Sequence, residues 1–289
     1  NFDAFTEAAK KNQVIFRYEA SVGGGIPILN ALTTALLANE FEEILGIVNG
    51  TTNYILTQMT EYGLDYADVL KVAQEKGFAE ADPTADVEGI DVANKLSILI
   101  SLVFGIRVPP QEIPTEGITK ITKNDIRLAD QFGYKIKLLA TAKKVGKQLE
   151  AHVQPAFVPK DHPLAAVSNE FNAIFVTGNA VNDLMFYGKG AGPLPTGSAV
   201  MGDVIEISRA IAKGAAFDHH TESKAVKMLR YAGEGQNKYY VNMMVKDVPG
   251  VLGSISTTFG AFGIGIDSVL QLSKDVNKSR EVPLIFILH

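Results

Sequence analysis

The chain has 289 residues and a formal net charge of −5, from 27 basic and 32 acidic side chains. It contains no cysteine, which excludes disulfides, thiolate metal ligands and a cysteine nucleophile, and which favours a cytoplasmic location. The lack of a basic run argues against nucleic acid as a partner, and the longest apolar run, Leu96 to Ile106, is too short to span a membrane. At 46% hydrophobic residues, the chain can bury a sizeable core and is long enough for two domains.

The first segment contains three adjacent glycines. A helical pattern over residues 2–11 and a strand pattern over 14–18 precede the run Glu19-Ala20-Ser21-Val22-Gly23-Gly24-Gly25-Ile26. Adjacent glycines let the backbone approach a ligand or turn its carbonyls inward, but the spacing is not the dinucleotide fingerprint G-x-G-x-x-G. A tight turn into a helix over residues 28–37 explains the glycines equally well.

A polar turn follows the next predicted strand. The strand covers Ile44 to Val48, and the turn Asn49-Gly50-Thr51-Thr52-Asn53 leads into a helix over residues 54–60. Thr51 or Asn53 is predicted to cap that helix. The alternative is that these hydroxyls and amides line a polar pocket.

The most informative stretch runs from Gly77 to Phe104. Its first part cannot be helical throughout, because Asp82 precedes a proline. Its second part has apolar residues at helical spacing and stops at Gly105. Asp91 and Lys95 stand four residues apart and therefore share one face of this helix.

Two further acids, Glu80 and Asp86, lie on the loop before this helix. An ordinary ion pair on a solvated face would explain Asp91 and Lys95 by themselves. However, from Leu96 to Phe104 the polar residues are two serines, so little of the helix can face water. A lysine partly removed from water and surrounded by three acids is suited to donate a proton.

The middle of the chain shows a succession of strand patterns. Strands are predicted over residues 135–143, 149–157, 173–177 and 183–187, with a helix over 125–132. The pattern predicts an α+β fold, with a mixed sheet that carries helices on one face.

A second glycine-rich stretch, residues 187–198, leads into an amphipathic helix over Ala199 to Ala212. The free N–H groups of a helix N-terminus suit an anion or a cofactor phosphate, although loops of glycine and proline are common without any ligand. Residues 216–236 are interpreted as a linker. Beyond it, strands over 239–245, 264–272 and 282–288 with one helix predict a βαββ unit.

Four segments in this order resemble the homoserine dehydrogenase family: residues 19–27, 49–56, 77–95 and 188–202. Residues 237–289 resemble part of a ferredoxin-like ACT domain, entered through Asp247-Val248-Pro249-Gly250, without its last helix and strand. The resemblance implies a substrate and catalytic domain over residues 1–215 and the ACT unit over 237–289. Because the family begins with a Rossmann domain that this sequence does not show, we interpret the chain as a fragment that is inactive alone.

The resemblance implies an oxidoreductase that interconverts L-homoserine and L-aspartate 4-semialdehyde with NADP or NAD, on the route to threonine and methionine. It makes Lys95 the catalytic proton donor, and it makes Gly192 a cofactor contact. The implied substrate-binding residues are Gly77, Glu80, Asp86, Asp91 and Thr51. The implied ligands of a sodium ion are the backbone carbonyls of Glu19, Val22, Gly24 and Ile26.

The resemblance further implies at least a homodimer, and threonine is a candidate effector of the ACT unit. The choice between NAD and NADP stays open. Two other functions also stay open. One is a non-catalytic amino-acid-binding or assembly module. The other is a different semialdehyde or amino-acid dehydrogenase, against which the loop and helix from Glu80 to Lys95 argue.

Overall fold

A computed structural model describes residues 2–214, 229–233, 235, 237–271 and 281–289. The chain forms two units, Asn1–Glu234 and Gly235–His289. The domain boundaries predicted above stay a prediction, and most of the predicted linker lies outside the described residues.

The larger unit is built on one mixed sheet. Its described strands are β1 Phe41–Ile47, β2 Tyr134–Val145, β3 Gln148–Pro159, β4 Phe171–Gly178, β5 Asn182–Lys189 and β6 Arg230–Gly233. They lie in the order β5-β4-β1-β2-β3-β6. β6 runs parallel to β3, and the other neighbours pair antiparallel.

Helices connect these strands. They are α1 Phe2–Asn12, α2 Ile28–Asn30 (continued by a π-helical turn, Ala31–Ala35), α3 Gly50–Tyr62, α4 Tyr66–Glu75, α5 Thr84–Val87, α6 Ile90–Phe104, α7 Lys123–Gln131 and α8 Pro193–Ala212. Short 3-10 turns occupy Glu19–Ser21, Pro110–Glu112 and Pro163–Ala166. Within the described ranges, no helix has both the length and the apolar character that a membrane crossing requires.

The main core lies between one face of the sheet and helices α3, α6 and α7. From α6 it takes Leu96, Leu99 and Ile100, which are fully buried. Alternate residues of β2 point into this core, whereas Leu139 joins a smaller cluster on the opposite face with Leu164. The predicted fold class, a mixed sheet with helices on one face, is therefore confirmed.

The predicted strand over Val14 to Tyr18 is wrong. These residues lie between α1 and the first 3-10 turn and pair with no strand in the described part of the chain. The rings of Phe16 and Tyr18 lie 5.2 Å apart, and Phe16 also packs on Phe5 at 6.0 Å. The apolar pattern therefore reflects aromatic packing and not a sheet.

Several boundaries also differ from expectation. Helix α8 begins at Pro193, six residues before the predicted start, because proline is well suited to the first turn of a helix. Residues 230–233, which fall in the predicted linker, form β6 and pair with β3.

The smaller unit is a three-stranded antiparallel sheet with one helix, in the described residues. Its elements are β7 Tyr239–Lys246, α9 Val251–Ala261, β8 Ile266–Gln271 and β9 Glu281–Leu288, and the strands lie in the order β7-β9-β8. Phe259 of α9 packs edge-on against Phe286 of β9 at 5.1 Å. The predicted βαββ arrangement is confirmed, and its assignment as an ACT unit stays a prediction.

A lysine is buried in the middle of β2. Lys137 is 3% exposed, and its ammonium group donates hydrogen bonds to Asn53 Oδ1 and to the carbonyl of Val167. Both acceptors are neutral, so burial is not offset by an ion pair. Burial, with a smaller contribution from the charge of Lys135, lowers the pKa of Lys137 from its usual 10.5 to about 8.

This burial predicts a pH dependence of stability. Between pH 8 and 10.5 the unfolded chain binds more protons at Lys137 than the folded chain does, so the free energy of unfolding rises with pH across that window. Relative to Lys137→Met, the wild type should gain on the order of 2–3 kcal/mol from pH 7.5 to 10.5, measured by urea unfolding. Replacing the exposed Lys147 by methionine is the control and should leave this slope unchanged. Parallel pH profiles for wild type and Lys137→Met would contradict the prediction.

Candidate active site

Asn49 caps helix α3 at the end of β1. Its backbone is extended, and its side-chain Oδ1 accepts the Thr52 N–H at 2.9 Å. The expectation that Thr51 or Asn53 is the cap is therefore wrong. The first helical residue is Gly50, which places Asn49 at the position where a side-chain oxygen reaches the free N–H groups.

The same asparagine joins two acids. Its Nδ2 donates to Asp86 Oδ1 at 2.6 Å and to Asp91 Oδ2 at 2.9 Å. These acids lie on α5 and α6, which are separated by a sharp turn. Gly89 makes that turn with φ +80, and a Cβ there would lie 3.0 Å from Thr115 Cγ2, so the turn requires a glycine.

Lys95 completes the cluster. Its Nζ donates to Asp91 Oδ2 at 2.6 Å and to the Val48 carbonyl at 2.9 Å. The side chains of Lys95 and Asp91 are only 20% and 31% exposed, which separates this pair from an ordinary solvated one. An ammonium group has three N–H donors. No described residue accepts the third, so it is available to a ligand.

Of the other predicted substrate residues, Gly77 and Glu80 lie on the loop after α4, and Thr51 lies in the first turn of α3. Gly77 ends α4 with φ +75, and Thr51 Oγ1 donates to the Phe78 carbonyl at 2.7 Å, which ties α3 to the loop. The backbone carbonyl of Glu80 accepts a hydrogen bond from Gln74 Nε2 at 3.1 Å, which ties the loop to α4. Among the described contacts, none joins the Glu80 carboxylate to Asp86, Asp91 or Lys95.

The two glycine-rich stretches meet at a second place, which we call the glycine junction (residues 23–25 and 188–192). The Gly25 N–H donates to the Lys189 carbonyl at 3.0 Å. A Cβ on Gly24, whose φ is +52, would lie 2.3 Å from the Gly190 carbonyl oxygen. The sequence alone does not relate the two stretches, whereas in the structure their backbones are in contact, and this contact requires a glycine at position 24.

Asn172 of β4 lies against this junction. A Cβ on Gly190 would lie 1.8 Å from its Nδ2. The residue is 1% exposed, and its Oδ1 has no hydrogen-bond donor among the described residues. A buried unpaired oxygen costs about 1–3 kcal/mol, so the position suits a water molecule or a cation.

The predicted sodium ligands lie on the first side of the junction. The carboxylate of Glu19 accepts the N–H groups of Leu29 and Asn30, at 2.9 and 2.7 Å, and burial raises its pKa. That side chain is thus committed to the start of α2. The four predicted ligand residues can therefore offer a sodium ion only their backbone carbonyls.

These carbonyls differ in their hydrogen bonding. No described residue donates to the carbonyl of Val22 or Gly24, whereas the Ile26 carbonyl accepts from the Ile28 N–H at 2.7 Å. No cluster of three or more histidine or acidic side chains suited to a metal ion occurs in the described part of the chain. Any cation here would therefore depend on carbonyl oxygens.

Gly192 immediately precedes α8, with φ +117. Pro193 and Pro195 in the first turn have no N–H, and the Thr196 N–H already bonds to the Gly192 carbonyl at 3.1 Å. The start of α8 thus offers fewer free donors to a phosphate than the glycine-rich pattern predicted.

Sequence reasoning named Asn49 only as part of a turn that could line a polar pocket, and it assigned no role to Asn172. Asn49 had a signal, because an asparagine between a strand and a helix is a typical cap. Asn172 had none, because its position depends on its pairing with Gly188 across β4 and β5.

Fold and site together define an α+β protein whose buried helix α6 carries a lysine paired to a carboxylate at the end of a strand. A family model for homoserine dehydrogenase matches residues 27–205. The homoserine dehydrogenase of Bacillus subtilis is 40% identical over 91% of this chain, and that of Synechocystis is 42% identical over 92%. This chain belongs to the homoserine dehydrogenase family.

Solved structures agree with this. A crystal structure of a homoserine dehydrogenase from Thiobacillus denitrificans covers 99% of this chain with a TM-score of 0.90 and 36% identity. A hyperthermophilic archaeal homoserine dehydrogenase in complex with NADPH covers 72% of it with a TM-score of 0.62 and 29% identity. This chain spans 61% and 64% of the two curated relatives and 66% of the Thiobacillus chain.

The glycine junction predicts a strong effect of a single methyl group. Gly190→Ala should destabilise the protein by about 2–3 kcal/mol, because the buried Asn172 would have to move. Gly197→Ala is the matched control within the same stretch. It meets nothing within 4 Å and should raise stability by about 0.5–1 kcal/mol, since alanine favours a helix. Equal melting temperatures for the two variants would contradict this account of the junction.

Proposed function

We propose that this chain forms the substrate-binding and catalytic part of a homoserine dehydrogenase, which interconverts L-homoserine and L-aspartate 4-semialdehyde with NADP or NAD. Membership of the family supports the proposal. The observation that carries it is the ammonium group of Lys95, which is held by Asp91 and Val48 and keeps one N–H for a ligand.

The acids beside Lys95 suit an amino-acid substrate. Asp86 accepts from Asn49 through Oδ1, and Asp91 accepts from both Asn49 and Lys95 through Oδ2. The second oxygen of each carboxylate accepts no hydrogen bond from the described residues, so both can accept from the ammonium group of the substrate. Glu80, Thr51 and the Gly77 backbone are proposed to contact the rest of the substrate.

A nicotinamide cofactor, when bound, would supply the hydride chemistry at the substrate carbon. Lys95 gives its free proton to the aldehyde oxygen during reduction and takes it back from the alcohol during oxidation. Its two fixed hydrogen bonds keep Nζ in place, so the lysine need not be reoriented for each proton transfer.

The cofactor is proposed to touch the backbone of Gly192. Next to it, α8 has no buried residue and exposes an apolar stripe that includes Leu194, Met201 and Ile211, which are 86%, 55% and 63% exposed. We propose that a dinucleotide-binding domain covers this stripe, as the resemblance implies.

A sodium ion is proposed at the carbonyls of Glu19, Val22, Gly24 and Ile26. The carbonyls of Val22 and Gly24 that lack donors and the unpaired oxygen of the nearby Asn172 support a site for a singly charged, oxygen-seeking ion. A homodimer, threonine as an effector at the ACT unit and a cytoplasmic location are also retained as proposals.

The role of Lys95 is testable in the protein as its gene encodes it. Lys95→Ala should lower kcat for L-homoserine oxidation by ~10²–10⁴, the range for loss of a positioned proton donor, with little change in melting temperature. Lys120→Ala removes the lysine of another i,i+4 ion pair, an exposed one with Glu116, and should leave kcat unchanged. A Lys95→Ala variant that keeps more than about a third of the wild-type kcat would remove this lysine from the mechanism.

The ion proposal predicts a stability effect that does not depend on turnover. Sodium chloride should raise the melting temperature above that in tetramethylammonium chloride at the same ionic strength, because an ion that binds only the folded state stabilises it. Asn172→Leu, which removes the unpaired oxygen, should reduce that difference. Identical melting curves in the two salts for the wild type would refute the sodium site.

A further inference from the structure

We infer that Asn49 is a positioning residue that fixes Asp86 and Asp91 as a pair and thereby sets the preference of the site for a substrate with an ammonium group. The inference rests on the proposed function. According to this inference, the ammonium group is recognised by two carboxylates whose spacing is set by the neutral amide of Asn49, and not by either carboxylate alone.

Every hydrogen-bonding group of the Asn49 side chain is used. Its two Nδ2 hydrogens go to Asp86 and Asp91, and its Oδ1 accepts from the backbone N–H and the hydroxyl of Thr52. The residue is 5% exposed, so water cannot replace these partners. The orientation of the amide is also determined, because its oxygen would be repelled by two carboxylates.

The bridge brings two negative charges close together. One nitrogen lies 2.6 Å from Asp86 Oδ1 and 2.9 Å from Asp91 Oδ2, so these oxygens are at most about 5.5 Å apart. Like charges at such a distance repel and would separate if nothing held them. An amide N–H₂ holds both while adding no charge, which leaves the pair able to attract a cation.

The asparagine that bridges Asp86 and Asp91 is itself held in place. Because Asn49 caps α3 two residues after the end of β1, its side chain cannot shift without disturbing the start of a helix. Asp91 Oδ2 in turn accepts from Lys95. The acids that bind the ammonium group and the lysine that transfers the proton are thus placed relative to one another by one amide.

Two substitutions separate this role from helix capping. Asn49→Ser keeps an oxygen that can cap α3 but replaces the two amide N–H donors by a single hydroxyl, which cannot bridge two carboxylates, whereas Asn49→Ala loses the cap as well. Asn53→Ser is the structural control, since Asn53 is an equally buried asparagine one turn further along α3 whose Nδ2 donates to the carbonyls of residues 167, 169 and 171. Each variant is assayed in the protein as its gene encodes it, with L-homoserine and with 4-hydroxybutyrate, which lacks the ammonium group.

For Asn49→Ser we expect a melting temperature close to that of the wild type, with KM for L-homoserine raised ~10-fold or more and kcat lowered less than KM is raised. The preference for L-homoserine over 4-hydroxybutyrate should fall by a similar factor. Asn49→Ala should show the same kinetic change together with lower stability. Asn53→Ser should lose stability while its KM and its preference stay unchanged.

An unchanged KM and preference in Asn49→Ser would overturn the inference and leave Asn49 only its capping role. A wild type that does not turn over L-homoserine would instead refute the proposed function. In that case the bridge is still tested by the ¹³C carboxyl resonances of Asp86 and Asp91 in the protein. Both should move in Asn49→Ser and neither in Asn53→Ser, and no movement would overturn the inference.

Discussion

One carboxylate oxygen, Oδ2 of Asp91, accepts hydrogen bonds from both Lys95 and Asn49, and the arrangement of the site depends on it. Lys95 also bonds to the Val48 carbonyl at the end of β1, and Asn49 also bonds to Asp86 on α5. A shift of α6 relative to β1 would break several of these bonds at once. Because the groups are partly withdrawn from water, the bonds are stronger than exposed ones and hold a single geometry.

The apolar character of α6 makes this possible. The helix buries Leu96, Leu99 and Ile100 against the sheet and ends at Gly105, so its position is set by core packing before any polar contact is considered. Its first two turns then bring Asp91 and Lys95 to the end of β1. Packing supplies the stability, and the polar cluster at the end of the helix supplies the chemistry that the family assignment leads us to propose.

A steric constraint governs the second place of interest. A methyl group on Gly24 would collide with the carbonyl of Gly190, and a methyl group on Gly190 would collide with the amide of Asn172. Two segments that are far apart in the sequence therefore meet at one backbone contact. This contact places the predicted sodium loop beside the segment that leads to Gly192 and α8.

The sequence by itself determined the elements with a clear period, such as α6 and strands β2 to β5, and the pairing of Asp91 with Lys95, because these depend on residues that are close in the chain. Only the tertiary structure decided that Asn49 reaches Asp86, 37 residues away, that Asn172 lies under Gly190, and that the Glu80 carboxylate contacts none of the three clustered side chains. It also decided that residues 14–18 form no strand, since a strand needs a neighbouring strand and not only a run of apolar residues. Local periodicity carries no information on which distant segments meet. Which segments meet depends on how the helices pack on the sheet, and the site consists of side chains that this packing brings together.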